Sequence, residues 1–205
     1  MTPSAVEKSP VVVLRWTTKT QQNAEVVDRV KTLLRDHNLV LFPSSGNHTT
    51  IISASQKVLE RQAHNDRLVK RRRVAGPIAL ETIMDFFMVE MRAEFCKVDS
   101  SNGKDIEGLF TVHEQRLLVL SILEHISVSD QKLLEMLSED PKKRDSSTNL
   151  KYLLQSHGWV DALTPLHVTD KKTKILRDVW YPLYRMVPPV DDIEEYYGPE
   201  IAYCT

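Results

Sequence analysis

Leu39-Val40-Leu41-Phe42-Pro43-Ser44-Ser45-Gly46-Asn47-His48-Thr49-Thr50-Ile51-Ile52 is the stretch on which the fold turns. Two runs of β-branched and large apolar residues flank Pro43 to Asn47, whose residue types suit a tight reversal, so the whole reads as a β-hairpin. Upstream, Gln22 to Asp36 carries Val26, Val27, Val30, Leu33 and Leu34 at the spacing of one helix face. Asn38 tolerates the left-handed conformation and marks the end of that helix. Val11-Val12-Val13-Leu14-Arg15-Trp16, a β-branched run after a proline, reads as a buried strand. Downstream, Ser53 or Ser55 caps a helix carrying Val58 and Leu59. The order β-α-β-β-α is the split βαβ plan, which needs one more strand to close.

Two segments compete for that strand. Leu68 to Val74 is local, but Lys70-Arg71-Arg72-Arg73 puts four consecutive cations on what would be a half-buried surface. Val160 to His167 is distal, reached after a long helical insertion, and periodicity does not choose between them. Ile83, Met84, Phe86, Phe87, Val89, Met91 and Phe95 read as an apolar helix ending at Cys96. Residues 97–108 and 138–148, rich in Ser, Asp, Lys and Gly, are loops. Between them, Thr111 and Glu114 form a capping box for a helix whose buried face is Leu118, Val119, Ile122, Leu123 and Ile126. A last long helix spans Lys171 to Met186, with Trp180 on its stripe and Pro182 kinking it. The chain divides into a tail over residues 1–10 and one domain over 11–205. Within that domain, 11–95 is the core, 96–159 a helical insertion, 160–168 the closing strand and 169–205 C-terminal helices.

Composition narrows the function. The 205 residues carry 27 Lys and Arg against 28 Asp and Glu, a balance that argues against a dedicated nucleic-acid binder. Cys96 and Cys204 are the only cysteines, too few to staple a fold of this size, and they point to a reducing compartment. Met1 to Pro10 lacks the apolar core of a signal peptide. The longest charge-free stretch, His37 to Gln56, is interrupted by Asn38, Ser44, Ser45, Asn47, His48, Thr49 and Thr50, so it does not span a membrane. Nucleotide-binding, zinc-protease, nucleophile-elbow and EF-hand motifs are absent, and the seven histidines show no i, i+4 pair. These readings point away from an enzyme and require no metal or cofactor. Asp191, Asp192, Glu194 and Glu195 crowd a helix start without a calcium loop's alternating ligands, so no calcium site is expected. Charge is uneven, with a basic stretch over 56–76 and a wholly acidic one over 189–205. Lys70, Arg71, Arg72 and Arg73 are thus either a solvated face, an anionic-lipid contact or a nucleic-acid patch, the last weakened by the lack of strand aromatics.

The C-terminal third carries a resemblance. Pro165-Leu166-His167, a Lys-rich helix ending at Trp180, Pro189-x-Asp191-Asp192-Ile193 and Tyr196-Tyr197-Gly198-x-x-Ile201-Ala202 together resemble the anoctamin family. The tail is similar to that family's Y-F-G-x-x-I-A-x-Y-F pattern, and Phe110-Thr111-x-x-Glu114-Gln115-Arg116 is similar to its F-T-x-x-E-R segment. The resemblance covers residues 110–205, while over 11–95 only the order of elements agrees. It implies the cytosolic N-terminal domain of a dimeric channel or phospholipid scramblase, ending just before the first transmembrane helix. It implies an α+β, ferredoxin-like split βαβ antiparallel sheet with additional helices, and it favours Val160 to His167 as the closing strand. The implied partners are the membrane portion and the second subunit, and the charge of Lys70 to Arg73 adds an anionic lipid surface as a further candidate. Tyr196 and Tyr197 then stand close to the membrane, in a core or in an interfacial belt. The family's calcium carboxylates lie on transmembrane helices this chain does not contain. Pro182, Pro199 and Cys204-Thr205 depart from the pattern. The resemblance further implies about 20 mostly apolar residues after Thr205. The competing reading is a free-standing ferredoxin-like interaction or RNA-binding module that uses Lys70 to Arg73.

Overall fold

The computed structural model describes residues 11–21, 23–42, 48–73, 82–95, 109–137, 149–166, 190–198 and 201, a subset of them by backbone alone. It is an α+β fold in two compact units, one of residues 1–58 and 118–166, the other of 59–117 and 167–205. Each unit is built from separated stretches of chain.

The first unit holds a four-stranded sheet of β1 (Val12–Trp16), β2 (Leu39–Phe42), β3 (Thr49–Ala54) and β6 (Val160–Pro165), in the order β2-β3-β1-β6. Every neighbouring pair is antiparallel, and β3 lies between β1 and β2. That is the split βαβ arrangement. The crossover from β1 to β2 runs through a short α1 (Thr18–Gln21) and α2 (Ala24–Asp36). Val26, Val30 and Leu34 form the buried stripe of α2, while Val27 and Leu33 flank it half-buried. The helix ends where expected: Asn38 has φ 60° and donates its N–H to the Arg35 carbonyl at 2.8 Å. Val12, Leu14, Trp16, Leu39, Ile52 and Ala54 of the sheet are buried, each large aliphatic among them contributing about 1.5–3 kcal/mol.

The distal candidate closes the sheet. β6 runs beside β1 with Val12 opposite Pro165 and Leu14 opposite Leu163, and a register shift falls between Arg15 and Trp16. The insertion supplies α5 (Val112–His125), α6 (Gln131–Leu137) and α7 (Leu150–Ser156). α5 buries Leu118, Val119, Ile122 and Leu123, and Ile126 just beyond it is buried as well, the face its spacing foretold. Asn149 caps α7, its side chain accepting from the Tyr152 N–H at 3.0 Å. A gap of about 20 Å³ among Leu14, Leu123, Leu150, Leu154, Val160 and Leu163 has an apolar lining, so it is a packing void and not a ligand site.

The second unit holds β4 (Val69–Arg73) and β5 (Thr82–Phe86), an antiparallel pair separate from the main sheet. The local candidate is thus a strand, but not the closing one. β5 corrects the helix expected over 83–95: the chain is extended to Phe86, makes a 3₁₀ turn at Val89–Met91 and becomes helical only in α4 (Arg92–Phe95). A short apolar run rich in Ile, Met and Phe suits either state, and pairing with β4 decides it. α3 (Gln56–Asn65) begins directly after Ser55, and α8 (Val190–Tyr197) contains the acidic helix start. Residues 43–47, the loops at 97–108 and 138–148, Cys96, Cys204 and the Trp180 helix with Pro182 lie outside the described residues.

Candidate functional site

The start of α5 organises the second unit. Thr111 Oγ1 accepts from the Glu114 N–H at 3.2 Å, and Glu114 Oε2 accepts from the Thr111 N–H at 2.7 Å. The capping box read from the sequence is formed, satisfying two of the free donors at the helix start. Glu114 has a second task that no motif announces. Lys70 Nζ donates to both its oxygens, at 2.6 and 2.8 Å, and the two side chains are only 11% and 16% exposed. The same ammonium lies 5.7 Å from the centre of the Phe110 ring. Phe110 in turn meets Phe87 edge-on at 5.3 Å, and Phe87 meets Phe95 at 5.4 Å, all three buried. Ring pairs at these separations add about 0.5–1.5 kcal/mol each beyond their buried area.

Further along α5, Arg116 is 5% exposed and donates from Nη1 to the Tyr196 carbonyl at 3.0 Å. Its guanidinium also stacks over the Tyr196 ring, 4.6 Å from the centroid. Ile193 and Tyr196, three apart on α8, are both buried. Gly198 follows at φ +97°, its N–H closing on the Glu194 carbonyl at 2.9 Å. A Cβ at that position would sit 2.6 Å from Nε2 of His113, so the close approach and the backbone both call for glycine. The segments quoted for the resemblance, Phe110 to Arg116 and Tyr196 to Gly198, therefore meet across 80 residues of chain.

Lys70, the first cation of the basic run, is engaged with Glu114. Arg71, Arg72 and Arg73 lie on β4 in register with Met84, Ile83 and Thr82. Tyr196 takes the core environment and Tyr197 is half-buried. Among the described residues, no group of three or more His, Cys, Asp or Glu could hold a metal ion. No helix among them is long and apolar enough to cross a membrane. On the first unit, Glu25 accepts from Lys132 Nζ at 3.2 Å and Arg29 Nε at 3.1 Å, and Arg29 reaches Asp130 at 3.1 Å. The Lys132 hydrogen bond, then that of Arg29, holds the Glu25 carboxyl below its ordinary value of 4.5. The arrangement binds elements together through ion pairs, aromatic contacts and a cap. No family model matches the chain, and no curated protein is significantly similar to it.

Proposed function

We propose that this chain is a non-catalytic cytosolic regulatory and dimer-contact domain of an anoctamin-like ion channel or lipid scramblase, working without a cofactor of its own. The observation that supports this reading most is the junction at α5. The two stretches that resemble the family form one contact through Arg116, Tyr196, His113 and Gly198. A segment leading toward a membrane helix would then be fastened to the body of the second unit, and a displacement of either would be felt by the other. The distal closing strand, which the resemblance favoured over the local one, adds support. The RNA-binding alternative is weakened by the two tryptophans of the first unit. Trp16 and Trp159 are each 2% exposed, with indole N–H groups given to Thr50 and to the Leu137 carbonyl, so neither offers a stacking platform. Sequencing the transcript past the Thr205 codon tests the proposal. The expected result is about 20 mostly apolar residues soon after it. A stop codon there would defeat the membrane reading and favour the free-standing module.

A further inference from the structure

The two edges of the main sheet differ in kind. Leu166 N–H donates to the Val11 carbonyl at 2.9 Å and Trp16 N–H to the His48 carbonyl at 2.8 Å, which fixes the alternation along the strands. By that alternation Val40 and Phe42 exchange bonds with β3, while Leu39 and Leu41 turn their N–H and C=O groups outward. On the far edge, Leu163 and Pro165 of β6 face outward in the same way. Pro165 has no N–H to offer there, and the exposed Asp161 is the extra residue at the register shift. A proline, a charge and a bulge are the means by which a sheet edge is kept from pairing. β2 has none of them. Leu39-Val40-Leu41-Phe42 is uncharged, its register with β3 is regular, and among the described residues no strand pairs with its outer side.

We propose that β2 pairs antiparallel with β2 of a second copy of this chain, about a two-fold axis at Val40. In that register Leu39 of each copy stands opposite Leu41 of the other, so all four outward N–H groups meet outward C=O groups. Val40 opposes its own counterpart, with Phe42 on the diagonal, and both side chains are half-buried in the single chain. No like charges are brought together. A second copy is the fitting occupant because this short edge is its own complement in length, polarity and register. Pairing β2 head-to-tail with β6 would build an open filament, and Pro165, Asp161 and the bulge oppose it, so association closes at two. Two four-residue strands make a small contact. The free chain should therefore dimerise only at high concentration, whereas a tether raising the effective concentration to about millimolar would hold the pair together. The inference gives the dimer contact proposed above a surface, but it rests on the main sheet alone. It can fail without touching the transcript test, and the reverse.

Sedimentation equilibrium of the full chain, from micromolar to about millimolar, measures the association. A monomer–dimer equilibrium with no larger species is expected. Val40→Lys sets two cations opposite each other at the axis and should weaken the dimer about tenfold or more, while Thr164→Lys on the exposed edge of β6 should leave it unchanged. Circular dichroism and urea midpoints show that both variants are folded. Val40→Cys, in a chain with Cys96 and Cys204 replaced by Ser, gives a second readout free of added charge. Directly opposed residues of a non-hydrogen-bonded pair lie about 4.5 Å apart at Cα, within reach of a disulfide, so mild oxidation should yield a covalent dimer. Thr164→Cys in the same background should not. A monomer at every concentration together with no disulfide from Val40→Cys would overturn the proposal. Equal cross-linking from Thr164→Cys would overturn it too, as would species that grow beyond the dimer.

Discussion

β6 and β4 were rival strands in the sequence, and both are strands in the fold, yet they are stabilised in opposite ways. β6 joins the main sheet because its register sets Leu163 against Leu14 and Pro165 against Val12, apolar against apolar beside the buried side chains of β1. β4 offers Lys70 to Arg73 at the corresponding places. Bringing such cations against Leu14 would require counter-ions that no residue of β1 provides, and burying an unpaired charge costs several kcal/mol. β4 therefore pairs with β5 in a unit that gives Lys70 a carboxylate, Glu114, and leaves Val69 in solvent. A run of cations does not forbid a strand. It decides which sheet the strand can join.

That contrast means the two units fail differently when cut. The largest effect is expected beside β6. Trp159 is buried and donates to the Leu137 carbonyl, while its own carbonyl accepts from Thr20. Trp159→Ala should cost about 3–5 kcal/mol in urea unfolding, the range for emptying an aromatic site. A cost under about 1 kcal/mol, on the order of a surface change, would mean that the first unit does not rest on apolar packing. Next in size is Glu114→Ala, which removes the carboxylate half of the capping box and strands Lys70. About 2–3 kcal/mol is expected from the two losses together. Lys70→Met should cost less, because Glu114 keeps its bond to the Thr111 N–H.

What the sequence disclosed is what local chemistry dictates. β1, β2 and β3, the stop at Asn38, the box of Thr111 and Glu114, and the buried face from Leu118 to Ile126 all rest on neighbours within a few residues. β5 reads wrongly as helix because Ile83, Met84 and Phe86 satisfy either period, and only β4 across the pair resolves them. The ion pair of Lys70 with Glu114 spans 44 residues, and no pattern within either segment announces it. The resemblance pointed separately to Phe110–Arg116 and to Tyr196–Gly198. It did not say that Arg116 holds Tyr196, nor that His113 fixes the need for Gly198.

Smaller effects sharpen the contrast. Gly198→Ala should cost about 1–2 kcal/mol, from a left-handed backbone and the crowding of His113. His113→Ala in the same chain should recover only the crowding part. The smallest effect belongs to the surface of the first unit. Because Lys132, then Arg29, lowers the Glu25 pKa in the folded state, the Glu25 contribution is present above its ordinary value of 4.5 and is lost as pH falls through the folded value. Urea midpoints measured from neutral pH down through the carboxylate range should decline less steeply for Glu25→Gln than for the wild type. Identical slopes would show that Lys132 and Arg29 do not hold the carboxylate in solution.

Arg116 and Tyr196 join α5 and α8 in one node. A double-mutant cycle with Arg116→Met and Tyr196→Leu, read by equilibrium unfolding, tests it most directly. The guanidinium lies 4.6 Å over the ring in a site 5% exposed at Arg116, so a coupling energy of about 1 kcal/mol or more is predicted. Additivity within about 0.3–0.5 kcal/mol would contradict it, for the two segments would then be neighbours without being a unit.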